Sequence, residues 1–362
     1  MDVLKKSNWR KISLYGASLL ILTGGAFYVV AFHILSGPGY KGPVSDHFDG
    51  DEFYNLEPTK KNGIGDVLEW QFNKDPGEWP DRTLPSKNTV PLESIDGERV
   101  TFINHASLLI QIQGINLLTD PIWSYRASPF SFAGPARKRE AGIRFEDLPH
   151  IHAVLISHNH YDHLDLSTLK KLHEVYDPIF IVPLGVDLLL KQHNIHNIHA
   201  LDWFDQLDIS NTHIHAVPAK HFSGRGMGDT NKTLWSGYLI ESGQRKIYFA
   251  GDTGYGDFYK SLHARYGPID LALLPIGAYK PIWFMQPIHM SPEEAVQAHL
   301  DLGASKSIGM HFGTFPMADD GLSDPLIDLS AALARKNVDP KKFFTLREGE
   351  CFDLNIEKKG FF

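Results

Sequence analysis

The sequence predicts an α/β (α+β) domain, two sheets with helices on their outer faces, preceded by an N-terminal transmembrane helix. Three observations carry that prediction. Short β-type runs follow one another through tight turns at the start of the domain, as in mainly antiparallel sheets. Helical segments then interleave with strands, without the strict βαβ rhythm of a doubly wound sheet, which suits two packed sheets. Ahead of both, residues 12–35 contain no Asp, Glu, Lys or Arg.

As a helix that apolar run would be about 36 Å long, enough to cross a hydrocarbon layer with some tilt. Lys5, Lys6, Arg10 and Lys11 precede it, and Asp46, Asp49, Asp51 and Glu52 follow it. The positive-inside rule keeps the amino terminus cytoplasmic and puts the rest on the outer side, the periplasm if the cell is bacterial. A cleaved signal peptide is the competing reading. Its apolar core usually spans only about 7–15 residues, and Ala31-Phe32-His33 is a poor cleavage site. Residues 1–36 are therefore expected to form an uncleaved anchor. Residues 37–96, rich in Pro, Gly and acidic residues, are expected to form an irregular arm. The arm should lie on the domain, because a free linker has little use for Leu68, Trp70, Phe72 and Trp79. Residues 97–356 are the folded domain.

With 362 residues the chain can bury an ample core. A net charge of −8 argues against nucleic acid as a partner, since that partner requires a basic face. Cys351 is the lone cysteine, which excludes an intramolecular disulfide and a Cys-rich zinc module. Any metal must be held by nitrogen and oxygen. Oligomeric state has no signature in the sequence.

Within the domain, strands are expected at residues 100–103, 107–112 and 115–119, the last ending in Asp120-Pro121. Residues 124–149 carry Arg126, Arg137, Lys138, Arg139 and Arg144 among Ser, Gly and Pro, by default a solvated cationic loop and alternatively a contact for phosphate or anionic headgroups. A buried strand at 153–156 leads into the ligand-rich stretch below. A helix at 166–174, a strand at 178–183 and a helix at 185–193 follow. Residues 212–218 alternate like a half-buried strand, and further β-runs cover 235–241 and 246–250. Helical residues near 256–265 lead to a strand at 269–275. Ser291-Pro292-Glu293-Glu294 marks a helix start, with Ser as N-cap, Pro at N1 and Glu at N3. A strand at 307–310, a helix at 325–336 and a strand at 343–347 finish the domain.

The chemistry gathers at strand ends. His158-Asn-His-Tyr-Asp-His163 places three imidazoles and a carboxylate within six positions. A helix would scatter such offsets, whereas a loop wrapped around a point can aim them all inward, as two adjacent divalent metals need. A His-rich surface turn is the bland alternative. Later strands deliver His221, Asp252 and His311. A His/carboxylate zinc site uses about three protein ligands and keeps one position open. The seven candidates His158, His160, Asp162, His163, His221, Asp252 and His311 therefore suit two metals sharing one carboxylate. Each is weak alone: His221 lies between Lys220 and Phe222 like a surface residue, and Asp252 could be a core carboxylate bonded to Thr253. The conjunction makes the signal.

At this point the sequence resembles the metallo-β-lactamase superfamily, whose His-x-His-x-Asp-His signature stands as His158 to His163. The likeness extends to its N-acylphosphatidylethanolamine-hydrolysing phospholipase D family. It is carried by Leu118-Thr-Asp-Pro-Ile-Trp, Phe249-Ala-Gly-Asp-Thr-Gly-Tyr255, Leu274-Pro-Ile-Gly-Ala-Tyr279, Trp283-Phe-Met and His311-Phe-Gly-Thr-Phe315. The resemblance covers about residues 65–350 and implies an αββα sandwich with two zinc ions at one edge. One zinc would sit on His158, His160 and His221, the other on Asp162, His163 and His311, with Asp252 bridging. Asp120 would be the carboxylate behind the ligand loop, and His289 a histidine beside the substrate. The sequence departs from the family at Asn104, at Ile288 and in the loop 223–231, which bears on acyl-chain and headgroup preference rather than on the metals.

The implied activity is a phosphodiesterase of phospholipase D type, releasing phosphatidic acid and an N-acylethanolamine at a membrane bilayer. Asp162 or Asp252 would orient the nucleophile, and His289 would donate a proton or position substrate. Tyr161, Tyr255, Tyr279, Trp283, Phe284 and Met285 are candidates for an apolar acyl-chain groove, with core packing as their default. Three adjacent large apolar residues at 283–285 in a Pro-bounded loop cannot all point inward. The same ligands serve other reactions: a lactonase or thioester hydrolase, or a mononuclear iron dioxygenase acting on persulfide. A non-enzymatic binding module is disfavoured because no predicted ligand is missing.

Overall fold

The computed structural model describes Thr23, Gly25 and residues 28–354. Much of the expected anchor, residues 12–35, lies outside the described residues, and among the described residues no helix is long and apolar enough to cross a membrane. The described end of that segment forms a single helical turn, Val30–Ile34, and it is tied to the domain. Met227 N donates to Ala31 O at 2.8 Å. Gly228 N donates to Ser36 Oγ at 3.0 Å and Gly37 N to Asp229 Oδ2 at 2.7 Å.

Two seven-stranded sheets make the body. The first holds β1 (Glu98–Asn104), β2 (Ser107–Ile112), β3 (Ile115–Thr119), β4 (Ala153–Leu155), β5 (Ile179–Pro183) and β6 (Ile198–Leu201). The second holds β7 (Gln206–Ile209), β8 (Thr212–Val217), β9 (Gly237–Ser242), β10 (Arg245–Phe249), β11 (Leu271–Pro275), β12 (Lys306–Met310) and β13 (Phe343–Thr345). A last strand, β14 (Cys351–Asp353), returns to pair with β1.

The antiparallel pairing expected from the early tight turns holds for only part of each sheet. Strands β1 to β3 are an antiparallel meander, but β3, β4, β5 and β6 run parallel. The second sheet repeats the plan, antiparallel from β7 to β10 and parallel from β10 to β13. Tight turns can join only antiparallel strands, whereas parallel neighbours need a crossover, usually a helix. Helices supply all but one of these crossovers: α2 (Leu166–Tyr176) and α3 (Val186–Gln192) in the first half, α4 (Phe258–Tyr266), α6 (Pro292–Asp301) and α7 (Asp324–Arg335) in the second, while β3 reaches β4 through the irregular stretch 120–152. Helix α6 starts at the Ser291 cap as its sequence requires, with Ser291 Oγ accepting from Glu294 N and the Glu294 carboxylate accepting from Ser291 N.

Alternation along the strands sorts residues into layers. Leu108, Ile110, Leu117, Ala153, Leu155 and Ile181 face the second sheet. Leu109, Leu118, Val154, Phe180 and Val182 face outward, onto Leu169 and Leu172 of α2 and Leu189 and Leu190 of α3. The result is a four-layer αββα sandwich. One polar tie crosses its centre: the buried Tyr238 hydroxyl on β9 donates to the carbonyls of Ile156 (2.8 Å) and Ile181 (3.3 Å) in the other sheet.

Residues 37–96 are less irregular than the sequence predicts, for they contain α1 (Ile64–Phe72). Its apolar residues escaped detection as a helical stripe because they face solvent, Phe72 being 85% exposed. Only Trp70 turns in, stacking on Phe284 at 5.0 Å and donating from Nε1 to Asp319 Oδ1 at 3.1 Å. Trp79 Nε1 donates to Asp320 O at 2.9 Å.

Candidate metal centre

Strand β4 lies inside the first sheet, so its carboxyl end emerges at a fixed point, and residues 157–163 wrap around that point. Asp120, just past β3, is the pin. Its Oδ1 accepts Ser157 N at 2.7 Å, and its Oδ2 accepts Ser157 Oγ at 2.6 Å and His163 Nδ1 at 2.7 Å. His158 Nδ1 donates in turn to Ser157 Oγ at 2.9 Å. These bonds consume the Nδ1 atoms of both histidines and leave Nε2 facing inward.

The other sheet brings the partners. His221 follows β8 and is gripped from the arm: its N donates to Asn55 Oδ1 (3.0 Å) and its O accepts from Asn55 Nδ2 (2.9 Å). Its Nδ1 donates to Ile288 O at 2.9 Å. Asp252 follows β10 after Gly251, whose φ is +61°, and a Cβ there would stand 2.5 Å from Ser157 Cβ. Only glycine lets the two loops approach so closely. His311, at the end of β12, has φ +58°. Its N donates to His105 O at 2.8 Å and so joins the two sheets at the site.

The seven residues singled out from the sequence converge. His160 Nδ1 stands 2.7 Å from His158 Nε2 and 3.3 Å from His221 Nε2. His163 Nε2 is 3.2 Å from both Asp162 Oδ2 and Asp252 Oδ2, and His311 Nε2 is 3.4 Å and 3.1 Å from the same two oxygens. Asp252 Oδ2 also lies 3.9 Å from His221 Nε2, between the two groups.

Burial sets the charges. It pushes His158 and His221 well below the ordinary imidazole range and His160 down to about 4. His311 is raised to about 9 and His163 well above its usual value, because Asp252 and Asp162 outweigh the burial that opposes them. Burial penalises the Asp162 and Asp252 carboxylates too, but His163 beside them holds both well below the usual carboxylate range.

His163 Nε2 makes no hydrogen bond in spite of the two carboxylates facing it, and Asp252 Oδ1 has no partner either. Orphaned buried groups of this kind cost about 1–3 kcal/mol each. Imidazole and carboxylate donors aimed at common points fit divalent cations, and four overlapping donor groups of this kind occur here among the described residues.

One residue of the cluster was missed. His105 is buried in the turn between β1 and β2 with φ +47°, and its Nε2 donates to Asp162 Oδ2 at 2.9 Å. Burial, then the charge of His311, takes it down to about 3. Its proximity to Asp162 depends on β1 to β4 lying side by side in the first sheet, and to His311 on the two sheets meeting, which no local pattern reveals. His289 is nearby, with Nδ1 3.8 Å from Asp252 Oδ2 and without a hydrogen bond, and burial lowers it to about 4.

The aromatic candidates are spread more widely. Tyr161 lies beneath the Arg225 guanidinium at 3.8 Å. The hydroxyls of Tyr255 and Tyr279 are bonded to Asp301 and Asp328. Of the three adjacent residues in α5 (Ile282–Met285), Trp283 is 43% exposed, while Phe284 and Met285 are buried.

His and Asp donors collected on the strand ends of an αββα sandwich define a metal-dependent hydrolase. A beta-lactamase superfamily domain model matches residues 115–312. The N-acyl-phosphatidylethanolamine-hydrolyzing phospholipase D 1 of Caenorhabditis elegans is 37% identical over 290 residues, 76% of this chain and 82% of that one. The mitochondrial N-acyl-phosphatidylethanolamine-hydrolyzing phospholipase D of Saccharomyces cerevisiae is 36% identical over 219 residues, 59% of this chain and 47% of that one. Among solved structures, the metallo hydrolase Igni18 of Ignicoccus hospitalis shares the fold with TM-score 0.55 at 20% identity, covering 72% of this chain and 99% of that one. The chain belongs to the metallo-β-lactamase superfamily, in the group of the N-acylphosphatidylethanolamine-hydrolysing phospholipases D.

Proposed function

We propose that this protein is a dinuclear zinc phosphodiesterase of phospholipase D type, cutting N-acylphosphatidylethanolamine-like lipids to phosphatidic acid and an N-acylethanolamine. The observation that supports it most is the meeting of two donor groups at Asp252, alongside the 37% identity to a relative bearing that activity in its name. His158, His160 and His221 would hold one ion, and Asp162, His163 and His311 the other, with Asp252 shared. Bound there, divalent ions supply a nucleophile at neutral pH and a clamp for phosphoryl oxygens.

The chain's own groups do the rest. Asp120 and Ile288 O fix the tautomers of His163 and His221, so that their free nitrogens point inward. His105 holds Asp162 in place. Asp162 and Asp252 orient the attacking water. His289, held neutral by burial, accepts or donates a hydrogen bond at the substrate side rather than acting as a fixed cation. Tyr161 and the exposed Trp283 offer apolar contact for acyl chains, and residues 97–356 form the hydrolase domain. The apolar run at residues 12–35 keeps that domain, on the outer side, beside its lipid.

The test is purified protein with a panel of phospholipids, lactones and thioesters, with metal analysis and an Asp252→Asn control. Preference for the phosphodiester, two zinc ions per chain and loss of turnover in the variant are expected. Full turnover by Asp252→Asn would sink the metal assignment, and one iron per chain would sink the dinuclear zinc centre.

A further inference from the structure

A cavity of about 300 Å³ adjoins the ligand loop without including any of the seven donor residues of the metal centre. That volume lies at the lower end for small-ligand sites. Arg126 and Arg225 bring positive charge to its wall, next to His193. Arg225 Nη1 donates to the carbonyls of Asn159 (2.9 Å) and Leu164 (3.0 Å), which bracket His160, Asp162 and His163. Arg126 Nε donates to Ser131 O at 3.1 Å and Nη1 to Gly134 O at 2.5 Å. Its Nη2 has no hydrogen-bond partner among the described residues. The carboxylate in the wall, Asp165, is already engaged: Oδ2 accepts Ser124 N (3.0 Å) and Thr168 Oγ1 (2.6 Å), and Oδ1 accepts Ser167 N (3.2 Å).

The rim is apolar where the cavity is cationic. Ile34, in the wall, is 67% exposed. Phe130 and Phe132, 37% and 79% exposed, flank the Ser131 carbonyl that Arg126 grips. The wall also contains Leu35 and Ser36, so the charge-free run at residues 12–35 ends at this opening. Exposed Phe and Ile beside guanidinium groups match the boundary between acyl chains and phosphate headgroups.

We propose that this cavity is a second ligand site, binding the phosphate of an anionic lipid headgroup or free phosphate through Arg126 and Arg225. It is independent of which ester the metal centre attacks. Guanidinium groups recognise phosphate by charge-assisted, paired hydrogen bonds, and Arg126 retains an unused donor for that purpose. Because Arg225 also grips both ends of the donor segment, a phosphate bound here is one side chain away from the metal ligands.

The test is calorimetry on the metal-loaded, detergent-solubilised full chain, with dihexanoyl-phosphatidylglycerol, dihexanoyl-phosphatidylcholine and inorganic phosphate as separate probes. Arg126→Glu and His193→Glu, which place negative charge in the wall, should each weaken phosphatidylglycerol binding about tenfold or more. Asp252→Asn, at the metal centre, should retain it. Stronger binding of phosphatidylglycerol than of inorganic phosphate identifies the ligand as lipid; equal binding identifies it as free phosphate. Unaltered affinity in both charge variants, or abolished binding in Asp252→Asn, would overturn the site. Two variants on separate elements guard against one that fails to fold.

Discussion

Replacing Asp120 by Asn tests the support behind the metal donors while leaving every donor in place. The carboxylate accepts three hydrogen bonds, one at Oδ1 and two at Oδ2. An amide has one oxygen and one NH2 group. With its oxygen at the Oδ2 position, the NH2 confronts the Ser157 backbone N–H. With the amide flipped, the NH2 confronts His163 Nδ1–H, and the ring is driven to the tautomer whose Nε2 carries the proton and cannot bind metal. Either way one buried donor loses its acceptor, which costs about 1–3 kcal/mol. Burial raises the Asp120 pKa against the pull of His163 and Ser157, so the neutral amide recovers part of that loss through easier desolvation. Loss of a carboxylate behind a ligating histidine typically lowers metal affinity about 10–100-fold, or about 1.4–2.7 kcal/mol. Chelator competition followed by metal analysis would read it, with a melting curve of the metal-free protein as control. An Asp120→Asn variant that holds both metals within twofold of the parent would refute the reasoning.

Three further outcomes are expected. His105→Ala should release the metal held by Asp162, His163 and His311 at about 10–100-fold lower chelator concentration, leaving one tightly bound ion; simultaneous release of both ions would contradict the two-group assignment. Tyr238→Phe should leave the Ile156 carbonyl unpaired between the sheets, while the Ile181 carbonyl keeps its bond from Ile156 N, destabilising the fold by about 1–3 kcal/mol in urea unfolding, and an unchanged midpoint would dismiss the tie. His47 donates to Asp46 (2.6 Å) and Asp202 (2.7 Å) and stacks on Trp203, and these carboxylates raise its pKa even though burial opposes them. Protonation therefore favours the docked arm, so that contribution is full below about pH 6.5 and fades as pH rises through the elevated folded value. Limited proteolysis of residues 37–60 should accelerate above neutrality in the parent but not in His47→Gln; the same pH profile in both would discard the clamp.

Legibility followed locality. The ligand loop, the α6 cap and most strands could be read because local spacing determines them. Strands β6 and β7 and the returning β14 were missed: they are short edge pieces with exposed residues such as His199, Gln206 and Asp353, so alternation is masked. The antiparallel pairing expected from the early tight turns holds for β1 to β3, and the parallel halves carried no local signal, because pairing direction depends on what the crossover helices cover. Four of the seven donors share one loop and the other three come from segments separated by wide stretches of chain, yet each of these segments follows a β-run, which made them recognisable. His105 also follows a β-run but stands alone in its tight turn, and Asn55 follows no named strand. Their roles exist only once distant backbone segments meet.

Asn55 has a consequence for modularity. Its side chain clasps the backbone of His221, 166 positions onward, and also accepts from Trp235 Nε1 at 3.0 Å. A fragment cut at the bounds of the superfamily match, residues 115–312, would carry all seven donors yet lack this clasp, His105 and strand β1. It would be an inventory of ligands without the frame that aims them. The centre is therefore not a portable cassette. Grafting or trimming it requires that residues made earliest in the described chain travel with those made much later.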